Sequence, residues 1–164
     1  ERVAESFGFE EIWRLNYSPG KLDKINLVDL IEDISEIFNS IKPEIIYFPF
    51  SNDVHSDHRV TSEAVIACSK TFKFPSIKHF RAFETVSQTE FGSDLYRGSF
   101  HPNLWIDITG FLKRKIKIAD IYESEIADHP FPRSKKNIEA LATFRGSTIG
   151  VTSAESFIQI KSIL

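Results

Sequence analysis

The sequence predicts a single α/β domain with a mostly parallel sheet, and three observations favour it. Segment 44–49 is a short apolar run without alternation, which is typical of a strand buried on both faces of a parallel sheet. Apolar residues recur at helical spacing in segment 27–41, ahead of that run. The order strand, helix, strand, polar loop, helix is typical of α/β layer folds, whose ligands bind beyond the carboxyl ends of the strands.

The first half of the chain gives these elements in order. Residues 1–8 are interpreted as the end of a helix that stops at Gly8, and residues 10–17 as a strand that Ser18, Pro19 and Gly20 break. Asn26 is predicted to cap a helix over 27–41. The strand 44–49 is followed by a polar loop over 51–58 and by a helix from 58 to 72.

The second half is predicted to begin with strands at 77–85 and 103–107. Thr109 can cap a helix that runs to 125, and the proline-rich segment 129–132 is expected to be an extended connector. A helix is predicted over 134–145, followed by a last short helix that starts near Ser153.

Composition excludes several classes of protein. The net charge of −3 argues against a nucleic-acid binder, and the lone cysteine excludes an intrachain disulfide. No apolar run approaches the roughly 20 residues that span a bilayer. The first residues lack a signal-peptide pattern, so we expect a cytoplasmic protein. Oligomeric state is left open, and a homo-oligomer is compatible with the sequence.

The chemistry concentrates in the loop that follows the buried strand, Asp53-Val54-His55-Ser56-Asp57-His58-Arg59. Imidazole is the commonest zinc ligand, and carboxylates act as ligands, as partners of ligands or as bases. The spacing alone leaves two interpretations open, because polar residues crowd loops and Asp57 can simply cap the next helix. The position of the loop at a strand's carboxyl end favours a metal or catalytic role.

Several segments together resemble the PIG-L/LmbE-like zinc-dependent N-deacetylases, which include N-acetylglucosaminyl-phosphatidylinositol de-N-acetylase. The block H-S-D-H at 55–58 is similar to the H-x-D-H signature of that family. Segment 100–109 with Lys115, and the ending R-G…A-E-S-F at 145–157, are similar to two further motifs of the family. The resemblance implies a Rossmann-like three-layer sandwich and removal of an N-acetyl group from an N-acetylglucosamine-type sugar or glycoconjugate.

The same resemblance implies roles for individual residues. His58 is expected to be a Zn²⁺ ligand, His55 to stabilise or protonate the tetrahedral intermediate, and Asp57 to orient a neighbouring histidine. Arg2 resembles a substrate-contacting arginine of the family. The expected substrate-binding residues are Arg2, Asp53, Glu84 and His101. Glu84 and His101 are included for their places in the chain, at the end of strand 77–85 and in the loop before the next strand, and a surface position is the alternative for His101.

One departure from the family is large. The A-H-P-D-D-E motif, which supplies the remaining zinc ligands and the general base, does not occur here. The chain also contains no methionine, and we expect the domain 1–164 to be N-terminally incomplete and inactive alone. The alternative is a non-catalytic binding or scaffold domain that has lost the metal. A nucleotide-dependent protein is disfavoured because neither common phosphate-binding glycine motif occurs.

Two structural expectations follow. If a preceding strand supplies the missing ligands, an apolar strand edge or groove should lie beside 44–49, with His55 and His58 pointing into it. Arg145 falls on the apolar stripe of its predicted helix, and Glu155 is its expected partner.

Overall fold

The computed structural model describes residues 1–92 and 98–164. Their elements, in chain order, are α1 Arg2–Phe7, a 3₁₀ turn Leu22–Lys24, α2 Leu27–Ile41, β1 Ile45–Pro49, α3 Ser56–Ala67, β2 His79–Phe83, β3 Leu104–Asp107, α4 Leu112–Ala119, α5 Lys135–Ser147 and β4 Ala154–Ser162. The predicted α/β class is confirmed. Among the described residues, no helix is both long and apolar enough to cross a membrane.

The chain divides into two compact units. One unit contains Glu1–Arg14 and Trp105–Ser156, and the other contains Leu15–Leu104 and Phe157–Leu164. The histidine-rich loop after β1 belongs to the second unit.

The sheet is mixed, with strand order β1-β2-β4-β3. Strands β1 and β2 are parallel, with Ile46 opposite Phe80, as the sequence predicts for this pair. Strands β2 and β4 are antiparallel. Strand β4 also runs antiparallel to β3, because Asn103 N–H donates to Phe157 O and Ile108 N–H donates to Ser153 O. The expectation of a mostly parallel sheet is therefore wrong for the described strands, because β4 inserts between β2 and β3 in the opposite direction.

The core of the second unit lies between β1, β2 and the helices α2 and α3. Phe48 and Phe80 are 2% and 1% exposed, and Leu30 and Val65 bring the two helices onto them. Burial of each such side chain contributes about 1.5–3 kcal/mol. The lone Cys68 is one of these core residues, 2% exposed.

Helix α2 begins and ends as the sequence predicts. The side chain of Asn26 accepts a hydrogen bond from Val28 N–H and caps the first turn. Lys42 closes the helix in the left-handed conformation, just before Pro43. In the other unit, α1 ends at Gly8, whose φ of 81° is of the kind that favours glycine.

Two predicted elements are wrong. Residues 10–17 do not form a strand. The segment that starts near Ser153 is the strand β4 and not a helix. In β4, Ile158-Gln159-Ile160-Lys161 alternates apolar and polar residues, and pairing with β2 selects the extended form. The helices α3 and α4 are shorter than predicted.

The first unit also corrects the expected partner of Arg145. The Glu155 carboxylate pairs with Lys115, with 2.6 Å between Lys115 Nζ and Glu155 Oε1. The prediction of an Arg145–Glu155 pair is therefore wrong. The observed pair joins Lys115 on α4 to the last strand, and so links two of the segments on which the family resemblance rests.

Candidate functional site

The candidate site is the loop between β1 and α3, and the first turn of α3 shapes it. His55 is the N-cap of α3, and its Nδ1 accepts a hydrogen bond from the N–H of Asp57 at 3.1 Å. A backbone N–H can only donate, so Nδ1 of His55 carries the lone pair. The neutral ring of His55 therefore bears its hydrogen on Nε2, which is left as a donor.

His58 is held in the opposite way. Its Nδ1 lies 2.7 Å from Oδ2 of Asp53, whose side chain is 0% exposed. A carboxylate only accepts, so Nδ1 of His58 donates and the lone pair of the neutral ring lies on Nε2. This carboxylate–histidine arrangement is the one that orients histidine ligands in metal sites.

The two imidazoles thus differ in the hydrogen-bonding character of Nε2 although they are close neighbours. Their ring centroids are 5.1 Å apart and their planes differ by 24°. His55 offers an N–H donor, whereas His58 offers a lone pair. One ring can stabilise developing negative charge, and the other can coordinate a cation.

The side chain of Arg59 holds the backbone of this loop. Arg59 Nη1 donates to the carbonyl oxygens of Asp53 at 2.9 Å and Val54 at 2.5 Å. On the other side, Val54 N–H donates to Gln88 O at 3.1 Å. The loop is therefore tied both to α3 and to the segment after β2.

The two aspartates contact groups other than those expected from the sequence. Asp53 was predicted to contact substrate, but its side chain is fully buried and both carboxylate oxygens are bonded within the protein. Asp57 was predicted to orient a histidine, but its carboxylate accepts from Gly20 N–H at 2.6 Å and Leu22 N–H at 3.0 Å. Asp53 takes the orienting role, and Asp57 anchors the loop that contains Gly20.

The other predicted site residues are placed as follows. Glu84 directly follows β2 in the same unit as the histidine loop and is half-buried, whereas His101 is exposed ahead of β3. Arg2 is exposed at the start of α1, in the unit formed by Glu1–Arg14 and Trp105–Ser156. Substrate contacts of these three side chains stay predictions.

The described residues fit a metal ion in part. His58 has a free Nε2 and a buried carboxylate behind it, as a ligand requires. Among residues 1–92 and 98–164, no group of three or more His, Cys, Asp or Glu side chains is arranged to hold a metal ion. A catalytic zinc needs about three protein ligands, so the described part of the chain supplies too few.

An apolar groove lies beside β1, as the sequence predicts. Its volume is about 790 Å³, and it is lined by side chains of α2, β1 and the loop before α2, among them Leu30, Ile34, Phe38, Ile45 and Tyr47. In the described sheet, β1 is one of the two edge strands. Asp57 and Thr61 border the groove, whereas His55 and His58 are not among its lining residues, so that part of the prediction is wrong.

Sequence reasoning missed Gln88 and Thr89, which contact the site from the segment after β2. Thr89 Oγ1 donates to Oδ1 of Asp53 at 2.6 Å, although Thr89 lies far along the chain, after β2. No motif or spacing in the sequence identifies it.

Comparison with known protein families finds a match for the first part of the chain. Residues 1–69 match the PIG-L family, described as GlcNAc-PI de-N-acetylase. The match includes the H-S-D-H block and confirms the family resemblance, whereas the segments at 100–109 and 145–157 lie outside it.

Solved structures share the fold at low sequence identity. The N,N'-diacetylchitobiose deacetylase from Pyrococcus horikoshii is 21% identical with a TM-score of 0.74, over 98% of this chain and 61% of that protein. The conserved protein TT1542 from Thermus thermophilus is 17% identical with a TM-score of 0.75, over 99% of this chain and 71% of that one. GalB, the 4-carboxy-2-hydroxymuconate hydratase from Pseudomonas putida KT2440, is 17% identical with a TM-score of 0.63, over 99% and 70%. The same fold therefore occurs in a deacetylase and in a hydratase.

Proposed function

From the PIG-L match of residues 1–69, we propose that this chain carries part of the active site of a zinc-dependent N-deacetylase. Its substrate class is an N-acetylglucosamine-type amino sugar or glycoconjugate, as the description of the family and the chitobiose deacetylase with the same fold suggest. The observation that carries the proposal is the pair of neighbouring histidines whose Nδ1 atoms have opposite partners, a backbone N–H for His55 and a carboxylate for His58.

The residues divide the chemistry of amide hydrolysis between them. A zinc ion, when bound, polarises the amide oxygen and supplies a water that loses its proton near neutral pH. His58 offers Nε2 as a ligand, held in place by Asp53. His55 donates from Nε2–H to the amide oxygen as that atom gains negative charge. An aspartate from outside residues 1–164 takes the proton from the attacking water and returns it to the leaving amine, because Nδ1 of His55 accepts from Asp57 N–H and cannot carry a second proton.

The remaining ligands and the general base are proposed to come from outside residues 1–164. One observation supports this: an apolar groove runs along β1, which is an edge strand of the described sheet. A further parallel strand in that groove ends at the same edge of the sheet as β1, next to the histidine loop. Arg2, Glu84 and His101 remain the candidates for sugar contacts. A cytoplasmic location and a homo-oligomer also remain proposals.

The test compares His58→Ala with His55→Ala in a form of the protein extended at its N-terminus. Loss of His58 should remove zinc, measured by elemental analysis of the purified protein. Loss of His55 should retain zinc and lower acetate release by about 100-fold or more. His79→Gln is the matched control, because His79 lies at the amino end of β2, away from the loop.

Four outcomes contradict the proposal. Equal zinc loss in both variants is inconsistent with the division of roles between the histidines. An extended form that binds no zinc and releases no acetate favours the non-catalytic alternative, and hydration of a substrate without acetate release favours the chemistry of the hydratase. Tight stoichiometric zinc in residues 1–164 alone shows that these residues complete the site without a further segment.

A further inference from the structure

We propose that Thr89 and Asp53 act together as positioning residues that fix which nitrogen of His58 carries the lone pair. The value of this pair for catalysis rests on the proposed function, but the hydrogen-bond geometry does not. Thr89 lies in the segment after β2, whereas Asp53 and His58 flank the start of α3. The two parallel strands β1 and β2 bring the segments together at one edge of the sheet.

The direction of each hydrogen bond in this chain of contacts is set by the backbone N–H at one end and by the carboxylate of Asp53. Thr85 N–H donates to Thr89 Oγ1 at 2.7 Å. Thr89 Oγ1 in turn donates to Asp53 Oδ1 at 2.6 Å, since a carboxylate only accepts. Asp53 Oδ2 then accepts from Nδ1 of His58 at 2.7 Å. The lone pair of neutral His58 is thereby directed to Nε2, away from the buried carboxylate.

The burial of Asp53 restricts the orientation of its carboxylate. The Asp53 side chain is 0% exposed, whereas that of His58 is 26% exposed. A buried carboxylate needs its hydrogen bonds, because water cannot replace a lost partner at low cost. Gly92 brings the same segment still closer, since a Cβ on it would lie 1.9 Å from Asn52 O. The segment 85–92 therefore holds Asp53 in one orientation.

The direction of the bonds gives a specific expectation for Asp53→Asn. Asp53 is the only acceptor that the described contacts give to the hydroxyl hydrogen of Thr89, so that hydrogen should keep the amide oxygen of Asn on its own side. The amide NH₂ then faces His58 and donates to Nδ1. The neutral ring of His58 should switch its hydrogen to Nε2, which removes the lone pair that a metal needs.

The experiment records the ring ¹⁵N signals of His58 in residues 1–164, at a pH about two units above the ordinary histidine pKa. The wild type should show the Nδ1–H tautomer, and Asp53→Asn should show mainly Nε2–H. Adding Thr89→Val to Asp53→Asn frees the amide to rotate, so the two tautomers should become mixed. Added Zn²⁺ alone should perturb His58 in the wild type at about 10–100-fold lower concentration than in Asp53→Asn.

Matched variants separate positioning from stability. Thr89→Ser keeps the hydroxyl and should retain the wild-type signals. Thr143→Val makes the same change on the exposed face of α5 and should leave His58 unaffected. If Asp53→Asn does not fold, Thr89→Val alone still tests the proposal, because it should broaden the Nδ1–H signal of His58 that Thr89→Ser preserves.

The proposal is overturned if Asp53→Asn keeps the Nδ1–H tautomer, or if removal of the Thr89 hydroxyl changes only the urea midpoint. A wild-type chain that shows the expected tautomers, while the extended protein releases no acetate, refutes the proposed deacetylase and leaves the positioning role intact.

Discussion

Replacement of Asp57 tests the contact in the candidate site that differs most from the sequence prediction. The sequence predicts that Asp57 orients a histidine, whereas the structure places both of its oxygens on the backbone N–H groups of Gly20 and Leu22. We expect Asp57→Asn to loosen the loop around Gly20 and to leave the rings of His55 and His58 unchanged.

The magnitude follows from the two bonds. A hydrogen bond to a charged group contributes about 1.5–3 kcal/mol, and the bond to Gly20 is at the exposed end, so we take the lower values. Asparagine keeps one accepting oxygen but sets an NH₂ group against the second N–H. We therefore expect Asp57→Asn to lower the free energy of unfolding by about 1–2 kcal/mol, and Asp57→Ala by about 2–3 kcal/mol.

Two measurements check this expectation. Urea unfolding gives the change in stability, and hydrogen exchange gives the protection of the Gly20 and Leu22 amides, which should fall in both variants. Glu36→Gln is the control, because Glu36 is exposed on α2 and the same change of charge there should have little effect. Unchanged exchange at Gly20 and Leu22, together with altered ring signals of His55 or His58, would refute the reasoning and restore the role predicted from the sequence.

Elements with local determinants are the ones that the sequence predicts well. The bounds of α2 are correct because Asn26, the helical apolar spacing and Pro43 act within a few residues of one another. The prediction of β1 is correct because a short apolar run without alternation is typical of a strand in a parallel sheet. By contrast, β4 depends on pairing with β2, more than 70 residues earlier, and no local signal near Ser153 reveals that partner.

The same distinction explains the site. The cluster of His55, Asp57 and His58 is visible in the sequence because its members are adjacent, and the PIG-L match confirms the resemblance there. The spacing cannot show whether Asp53 or Asp57 contacts His58, because both aspartates lie close to His58 in the sequence. In the structure Asp53 contacts His58 and also accepts a hydrogen bond from Thr89, a residue of the segment that follows β2. The tautomer of His55 follows from a local contact with Asp57 N–H, whereas that of His58 involves Asp53, which is also bonded to the distant Thr89.

Two further predictions concern the unit that contains the histidine loop. The hydrogen bond that the phenol of Tyr17 donates to Asp33 raises the Tyr17 pKa to about 12 from 10.0, so its stabilising effect is complete below pH 10 and is lost as the pH approaches 12. Asp33→Asn should return the ultraviolet phenolate titration of Tyr17 toward 10. Gly92→Ala should lower the free energy of unfolding by about 1–3 kcal/mol, because its Cβ would lie 1.9 Å from the carbonyl oxygen of Asn52, a backbone atom that cannot rotate away. Gly110→Ala is the matched control, since nothing lies within 4 Å of its Cβ position. Equal urea midpoints for the two glycine variants would mean that the segment after β2 does not hold the histidine loop closely, and the argument from Thr89 to His58 would lose its basis.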